Sequence, residues 1–282
     1  MSNTESVFYV LSFRVGVMFK VNNLIENPNV KVVSEMGPVR IIEHQRNMNV
    51  SNLGMMSTLY YFSKMNIHYR QALITLENSS FIISSGAMQW MLGDVSLSSN
   101  VKGAADYISK IVSGKVTGEA AIKPLYYGTG LLMLEPTLKP MFMLRVDEWG
   151  GIMLNDGAFL GCEGTVNLKV KREKSISTAM TSGQGFFHLS CEGEGVVLLE
   201  SPVPVEHLIE VELQDDALRV DGDLAVAWSS SLQFTTEFAT QKADKQRSGA
   251  FGFLKNAVES NTTGEGLVNA FRGTGKVLLA VV

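Results

Sequence analysis

The sequence predicts an all-β fold made of three internally repeated β units, which we expect to form a pseudo-threefold sandwich or barrel-like assembly with two short helical inserts. Two glycine motifs predict this fold, because each occurs three times and the two alternate strictly along the chain. Segments of alternating apolar and polar residues lie between the motifs. In residues 165–170 the alternation places Val166, Leu168 and Val170 on one face of a strand, which we expect to face the core.

The glycines of both motifs are predicted to serve backbone geometry. The first motif contains Gly86, Gly157 and Gly222; the second opens with Gly118, Gly183 and Gly264 and closes with a Gly-x-Gly pair that begins at Gly128, Gly193 and Gly273. Tight turns, bulges and close strand contacts favour glycine, because they need a positive φ or leave no room for a Cβ atom. Gly157 follows Gly128 by as many residues as Gly222 follows Gly193, so the first two units align without a gap.

The repeat predicts a single β domain over residues 18–282, with units at about 81–134, 135–199 and 200–282. Each unit is too small to bury its apolar face alone, so we expect the three units to share a core. Residues 1–17 are predicted to be an N-terminal arm outside this domain.

Two parts of the domain do not follow the repeat. Residues 18–80 form a lead-in that does not align to it and that includes a Met-rich and aromatic stretch around residues 55–62. The inserts at residues 101–112 and 248–260 carry apolar residues at helical spacing, which predicts two short amphipathic helices.

The composition predicts an oligomer. Charged residues make up 18% of the chain, against a usual fraction of about 25%. The mean hydropathy is +0.12, which excludes an intrinsically disordered chain. A charge-poor surface exposes apolar patches, which association with further copies covers. We therefore expect a homo-oligomer, with a trimer as the favoured number. The net charge of −4 provides no general attraction to nucleic acid or anionic lipid.

The cysteine count and the N-terminal apolar run predict a cytoplasmic protein. Cys162 and Cys191 are the only cysteines, and they form no disulfide framework of the kind that secreted domains use. The apolar run over residues 7–21 is interrupted by Arg14 and Lys20, and it is shorter than the roughly 20 residues that a membrane span needs. No secretory signal pattern is present, so we expect no export.

Six segments carry a family resemblance: residues 18–21 (MFKV), 85–90 (SGAMQW), 154–160 (LNDGAFL), 199–204 (LESPVP), 264–269 (GEGLVN) and 272–275 (RGTG). In these segments the sequence resembles the altered-inheritance-of-mitochondria family, also known as domain of unknown function 124. The resemblance covers residues 18–282. It implies a β fold like that of the tryptophan-attenuation RNA-binding protein, built by internal duplication and usually associating further, and it implies no established chemistry. Mitochondrial members are linked to inner-membrane organisation, but we find no transit-peptide pattern here.

No catalytic, cofactor or metal site is predicted. His188 and Cys191 are three residues apart on a predicted strand and so point to opposite faces, which separates them as metal ligands; Cys162 and Cys191 occupy core positions of the repeat. Glu119 and Glu265 recur after the opening glycine, but a glutamine replaces them in the middle unit, as a polar turn residue allows. No nucleophile motif or phosphate-binding loop is present. We therefore expect that the protein is not an enzyme.

Two surface segments are candidate contact sites. The residues Lys169, Lys171, Arg172 and Lys174 form a local basic patch, and the residues Phe251, Phe253 and Leu254 form an apolar patch in the second insert. The hypothesis for the basic patch is that it contacts RNA when oligomer symmetry multiplies it, although Glu173 interrupts it and a hairpin tip is usually only solvated. The apolar patch could contact a membrane or a protein partner, but we favour a capping role over the exposed end of the β core.

The function predicted from these observations is that of a non-catalytic oligomeric β scaffold or binding protein. The first alternative is a small-ligand-binding protein with a pocket between β units, and the second is an RNA-binding ring. Repeat architecture by itself does not separate these functions, because one fold hosts many of them.

Overall fold

The computed structural model describes residues 19–46, 52–98, 123–173, 186–238 and 267–281. These residues form fifteen β-strands and one α-helix. The strands belong to two sheets, one of eight strands and one of seven. The predicted mostly-β fold class is therefore confirmed. The N-terminal arm and both predicted helical inserts lie outside the described residues.

The first sheet contains eight antiparallel strands. They are β1 (Val30–Met36), β2 (Val39–His44), β3 (Arg70–Ile83), β4 (Met88–Ser98), β5 (Leu125–Leu134), β6 (Met141–Arg145), β8 (Phe159–Glu163) and β11 (Val196–Glu200). The strand order is β1-β2-β3-β8-β11-β6, and β5 additionally pairs with β3 and with β4. The long strand β3 thus holds three neighbours together.

The second sheet contains seven antiparallel strands. They are β7 (Ile152–Leu154), β9 (Val166–Glu173), β10 (Phe186–Gly193), β12 (Leu208–Asp221), β13 (Ala225–Ser229), β14 (Gln233–Phe238) and β15 (Leu267–Ala280). The strand order is β12-β15-β13-β7-β10-β9, and β14 pairs with another part of β15. Strands β9 and β12 are therefore the two ends of this strand order.

One hydrophobic core joins the two sheets. Phe142, Cys162, Val197 and Leu199 of the first sheet pack with Leu168, Leu189, Cys191 and Ala227 of the second. Both cysteines are fully buried in this cluster, which confirms their predicted core positions. The alternation predicted for residues 165–170 is also confirmed, because Val166 and Leu168 are buried here and Val170 packs against the cluster.

The chain crosses between the sheets four times over residues 141–200. It crosses from β6 to β7, from β7 to β8, from β8 to β9 and from β10 to β11. The first crossing uses a 3-10 turn over Asp147–Trp149 followed by Gly150 and Gly151, both at positive φ. The fourth crossing uses Gly193 and Gly195, at φ of +96° and +131°. Positive φ values, which glycine adopts at little cost, redirect the chain at these corners.

The helix α1 (Leu53–Lys64) lies in the lead-in, where the sequence analysis placed only a Met-rich and aromatic stretch. Asn52 caps its N-terminus by accepting a hydrogen bond from the backbone N–H of Met55 at 2.9 Å. Leu59 is its buried residue, and Met55 and Phe62 lie on the same side at helical spacing. The helix therefore packs against the rest of the molecule through a narrow stripe of side chains.

The same strand pairing occurs in three segments of the chain. The strand before each glycine of the first motif pairs antiparallel with the strand at the Gly-x-Gly pair: β3 with β5, β7 with β10, and β12 with β15. β3 spans residue 81, where the first unit was predicted to begin. The threefold repeat itself stays a prediction, as does the comparison with the tryptophan-attenuation protein.

Candidate functional site

The glycines of the first motif lie in exposed turns. Gly86, Gly157 and Gly222 have φ of +79°, +78° and +59°, and none has a neighbouring atom within 4 Å of the position where a Cβ would be. Backbone conformation is thus the constraint at these three positions, rather than space. Gly118, Gly183 and Gly264, which open the second motif, lie outside the described residues.

The Gly-x-Gly pairs lie at irregular points of the strand ladders. Gly128 has φ of +131°, and a Cβ there would collide with the backbone oxygen of Asp94. The central threonine of two pairs has the same role: the hydroxyl of Thr129 accepts from the N–H of Asn78, and that of Thr274 accepts from the N–H of Asp215, both at 3.0 Å. Opposite these two threonines the partner strand has one extra residue: the register shifts between Leu76 and Ser79 on β3 and between Leu213 and Asp216 on β12, as in a β-bulge.

The predicted basic patch is partly neutralised. The ammonium groups of Lys169 and Lys171 lie 2.6 Å and 3.1 Å from the carboxylate of Glu192, on the neighbouring strand β10. Hydrogen bonds from Lys169 and then from Lys171 lower the pKa of Glu192 to about 2, so it is ionised at neutral pH. We call these three side chains the β9 cluster. The side chain of Arg172 and the whole of Lys174 lie outside the described residues.

A cluster of opposite composition lies at the other end of the second sheet, where no sequence pattern predicted one. The ammonium group of Lys276 lies 2.8 Å from the carboxylate of Glu210 and 3.3 Å from that of Glu212. It also lies 5.8 Å from the centre of the Trp149 ring. The hydrogen bond to Glu210 is the main cause of a raised pKa for Lys276. We call Glu210, Glu212 and Lys276 the β12 cluster.

A third ionic group surrounds a buried carboxylate. Glu237 on β14 is 8% exposed, and it accepts hydrogen bonds from Arg272 at 2.6 Å and from Arg219 at 2.8 Å. Burial by itself raises the pKa of Glu237, but the two arginines together outweigh burial and leave the pKa below its usual value of 4.5. Both partners are distant along the chain, so no sequence motif could reveal this group.

The buried histidine lies in an aromatic cluster. The ring of His188 lies edge-on at 4.9 Å from that of Trp228 and at 5.2 Å from that of Phe234, between centroids. Burial is the main cause of a lowered pKa, which keeps this imidazole neutral at physiological pH. Cys191, on the same strand, points into the core between the sheets. The prediction that His188 and Cys191 point to opposite faces is therefore confirmed.

The two thiols are poorly suited to nucleophilic chemistry. Burial raises the pKa of Cys162 well above its usual value, so the thiol stays protonated at neutral pH. Both cysteines are buried. Across the part of the chain that the structure describes, no group of three or more His, Cys, Asp or Glu side chains is arranged to hold a metal ion.

The outward face of α1 is apolar and exposed. Leu53, Met56, Tyr60, Tyr61 and Met65 at this helix are 80%, 53%, 58%, 64% and 68% exposed. A signal for this surface was present in the sequence, because no acidic residue occurs between Glu43 and Glu77. An exposed apolar stretch of this kind is typical of an interaction site.

The remaining predicted contacts are the apolar patch of the second insert and a contact with a membrane. Phe251, Phe253 and Leu254 lie outside the described residues. Within the ranges that the structure does cover, no helix is both long enough and apolar enough to cross a membrane.

Comparisons with known proteins place this chain among relatives without an assigned activity. The model of a family described as mitochondrial biogenesis AIM24 matches residues 62–281. An uncharacterized protein of Streptococcus pyogenes serotype M6 is 29% identical over 215 residues, which cover 73% of this chain and 79% of that protein. A crystal structure of a Streptococcus pyogenes protein matches with a TM-score of 0.52 at 25% identity and covers 76% of this chain and 89% of that one.

Proposed function

The chain belongs to the AIM24 family, and on that premise we propose that it is a non-catalytic β scaffold that works as a homo-oligomer, with a trimer as the favoured number. The uncharacterized streptococcal relative brings no chemistry to this chain. The proposal therefore rests on the surface and on the titratable groups of the molecule.

The outward face of α1 is the observation that carries the proposal. Five large apolar side chains are more than half exposed there, around a helix whose only charged residue is Lys64. The ammonium group of Lys64 already lies 5.5 Å from the centre of the Tyr60 ring. Because a single cation per copy causes little like-charge repulsion, copies of α1 can meet around a symmetry axis and bury their apolar faces together.

The buried titratable groups favour a structural role over a catalytic one. Glu237 is held by two arginines, Cys162 stays a protonated thiol, and His188 is kept neutral among aromatic rings. A general base or a nucleophile needs a pKa matched to its task and access to a substrate. With only two cysteines, the chain has no disulfide framework of the kind that secreted domains use, and we propose a cytoplasmic location.

Light scattering of the full chain tests the oligomer and its surface. We expect the wild-type protein to have a multiple of the monomer mass. The double variant Met56→Glu, Tyr60→Glu should raise the dissociation constant at least about 100-fold, because charges would replace apolar groups at the centre of the contact. The matched control is Leu97→Glu on β4, since Leu97 and Met56 are both 53% exposed.

Two outcomes would contradict the proposal. A wild-type protein of monomer mass at all concentrations would exclude a homo-oligomeric scaffold. A helix variant that stays as associated as the Leu97→Glu control would exclude α1 as the contact surface. Binding of mixed-sequence RNA in a gel shift at low salt would instead favour the RNA-binding ring.

A further inference from the structure

We propose that the two ends of the second sheet join copies of this chain head to tail, with the β9 cluster of one copy against the β12 cluster of the next. This inference rests on the proposed homo-oligomer and names the contact that sets its geometry. The structure supports it through the charges, the exposure and the faces of the two clusters.

The clusters have complementary composition. In the β9 cluster Lys169 and Lys171 share the carboxylate of Glu192, which leaves an excess of one positive charge. The β12 cluster has the reverse arrangement, because its two glutamates share the ammonium group of Lys276 and leave an excess of one negative charge. In both clusters the two like charges are two residues apart on an end strand, and the ion between them lies on the neighbouring strand. One cluster is thus the charge-reversed form of the other.

All six side chains are accessible to another copy. Their exposed fractions lie between 31% for Glu192 and Lys276 and 62% for Glu212. Each cluster is pre-assembled by its internal ion pairs, so its side chains lose less freedom on contact than isolated lysines and glutamates would. Both surfaces therefore suit a contact between proteins.

The clusters lie on opposite faces of the sheet. The strand register places Lys169 beside Ser190, Ser190 beside Met153 and Met153 beside Trp228. It continues from Trp228 to Val277 and from Val277 to Val211. Lys169 therefore shares a face with Val211. Glu210 and Glu212 flank Val211 along β12, so they point to the other face.

Opposite ends and opposite faces together define the contact geometry. If the backbone of β9 in one copy paired with that of β12 in the next, the second sheets would join into one continuous sheet around a closed ring. Each face of the sheet would then stay on one side of the ring, and the two clusters would not meet. When the end of one sheet overlaps the end of the next, the upper face of one contacts the lower face of the other. If every copy overlaps the next with the same tilt around a common axis, the β9 cluster of one copy therefore meets the β12 cluster of the next. Such a series of identical contacts can close into a ring by rotation.

A second copy fits these charges better than a nucleic acid does. Every copy carries both clusters, so every contact finds its complement without another partner. A polyanion would be attracted to the β9 cluster and repelled by the β12 cluster. Complementary charges at a contact mainly set specificity and orientation, so they would determine which ends meet, while the apolar face of α1 contributes most of the affinity.

Exchange of charges within whole clusters tests the contact, because it preserves the ion pairs inside each copy. The variant K169E/K171E/E192K makes the β9 cluster as negative as the β12 cluster. The variant E210K/E212K/K276E makes the β12 cluster as positive as the β9 cluster. Each should raise the dissociation constant at least about 100-fold, since like charges then face each other across the contact. The combined six-residue variant restores complementarity and should return to within about 10-fold of wild type.

Sedimentation and light scattering at about 50 mM and about 500 mM NaCl provide the measurement, with circular dichroism to establish folding. Association of the wild-type chain should weaken at high salt. Single-cluster variants that associate like wild type would overturn this inference and leave the oligomeric scaffold intact. A folded six-residue variant that stays dissociated would overturn the pairing of these two clusters. A monomeric wild type would overturn the proposed function and this inference together.

Discussion

Charged side chains of the second sheet gather in sets of three, each with one ion between two ions of opposite sign. Glu237 lies between two arginines, Glu192 between two lysines, and Lys276 between two glutamates. These ions come from different strands. Cross-strand pairs of this kind favour one register over its alternatives, because a shift by one residue moves a side chain to the other face.

Replacement of Glu237 by glutamine should destabilise the fold by about 1–2 kcal/mol at pH 7, because Arg219 and Arg272 lose their shared counter-ion. This cost lies between those of an exposed and a fully buried ion pair, because the arginine side chains are 47% and 33% exposed. Urea unfolding measures the difference. The control Glu35→Gln removes a pair in which the carboxylate is 52% exposed, and it should cost less than about 0.5 kcal/mol.

The effect of Glu237→Gln should depend on pH in a defined direction. The pKa of Glu237 in the folded protein is below its usual value of 4.5, so its carboxylate contributes stability that is fully present above that pH. That contribution disappears as the pH falls through the lowered pKa. Wild type and variant should therefore converge in stability in acid, and a difference that grows as the pH falls would contradict the assignment.

Among the structural elements, the long strands depend on glycine in two different ways. At Gly86 only the backbone conformation requires it, because open space surrounds the Cβ position. At Gly128 the chain has positive φ and the backbone of β4 also occupies the Cβ position. The first kind of site tolerates a side chain at the cost of strain, and the second does not.

Gly128→Ala should destabilise the protein by at least about 3 kcal/mol, because the strand pair would have to separate in addition to adopting a strained φ. Gly86→Ala is the matched control and should cost about 1–2 kcal/mol from φ alone. Chemical denaturation of both variants measures the difference. Equal losses for the two would show that crowding at β4 does not matter.

The helix α1 is the element that the sequence analysis failed to identify. Its inward stripe of Met55, Leu59 and Phe62 follows helical spacing, but large apolar residues also occupy its outward face. An amphipathic pattern is recognised from the contrast between faces, and here that contrast is weak. The same feature that hides the helix in the sequence makes it a candidate contact surface.

At the scale of the whole molecule, the two sheets are joined by their shared core and by the segment 141–200, in which the chain passes between them. Leu199 of the first sheet and Leu189 of the second belong to one buried cluster. The chain passes between the sheets at four points within residues 141–200. We therefore expect the sheets to unfold together rather than as independent units.

Leu199→Ala should lower the stability of both sheets by about 3 kcal/mol, because it opens a cavity in the core that they share. Chains that retain only Trp90, on the first sheet, or only Trp228, on the second, would report each sheet by fluorescence during denaturation. The two transitions should coincide and shift equally. The exposed control Leu97→Ala should change stability by less than about 0.5 kcal/mol. A shift confined to Trp90 would indicate separate unfolding.

The sequence by itself determined the strand-rich fold class, the core positions of the cysteines and the opposite orientations of His188 and Cys191. These properties follow from period-two alternation and residue spacing, which are local along the chain. Family membership was also accessible, because short segments such as residues 154–160 and 199–204 carry the resemblance.

Only the tertiary structure decided which strands share a sheet and which charges meet. Glu237 and Arg272 are distant in sequence and become partners because β14 and β15 pair. Lys169 was predicted as part of a local basic patch, and β10 brings the carboxylate of Glu192 to it. Strand order depends on many contacts between remote residues, and no local pattern encodes their sum. The ionic clusters that would orient one copy against another therefore became visible only when the sheets were assembled.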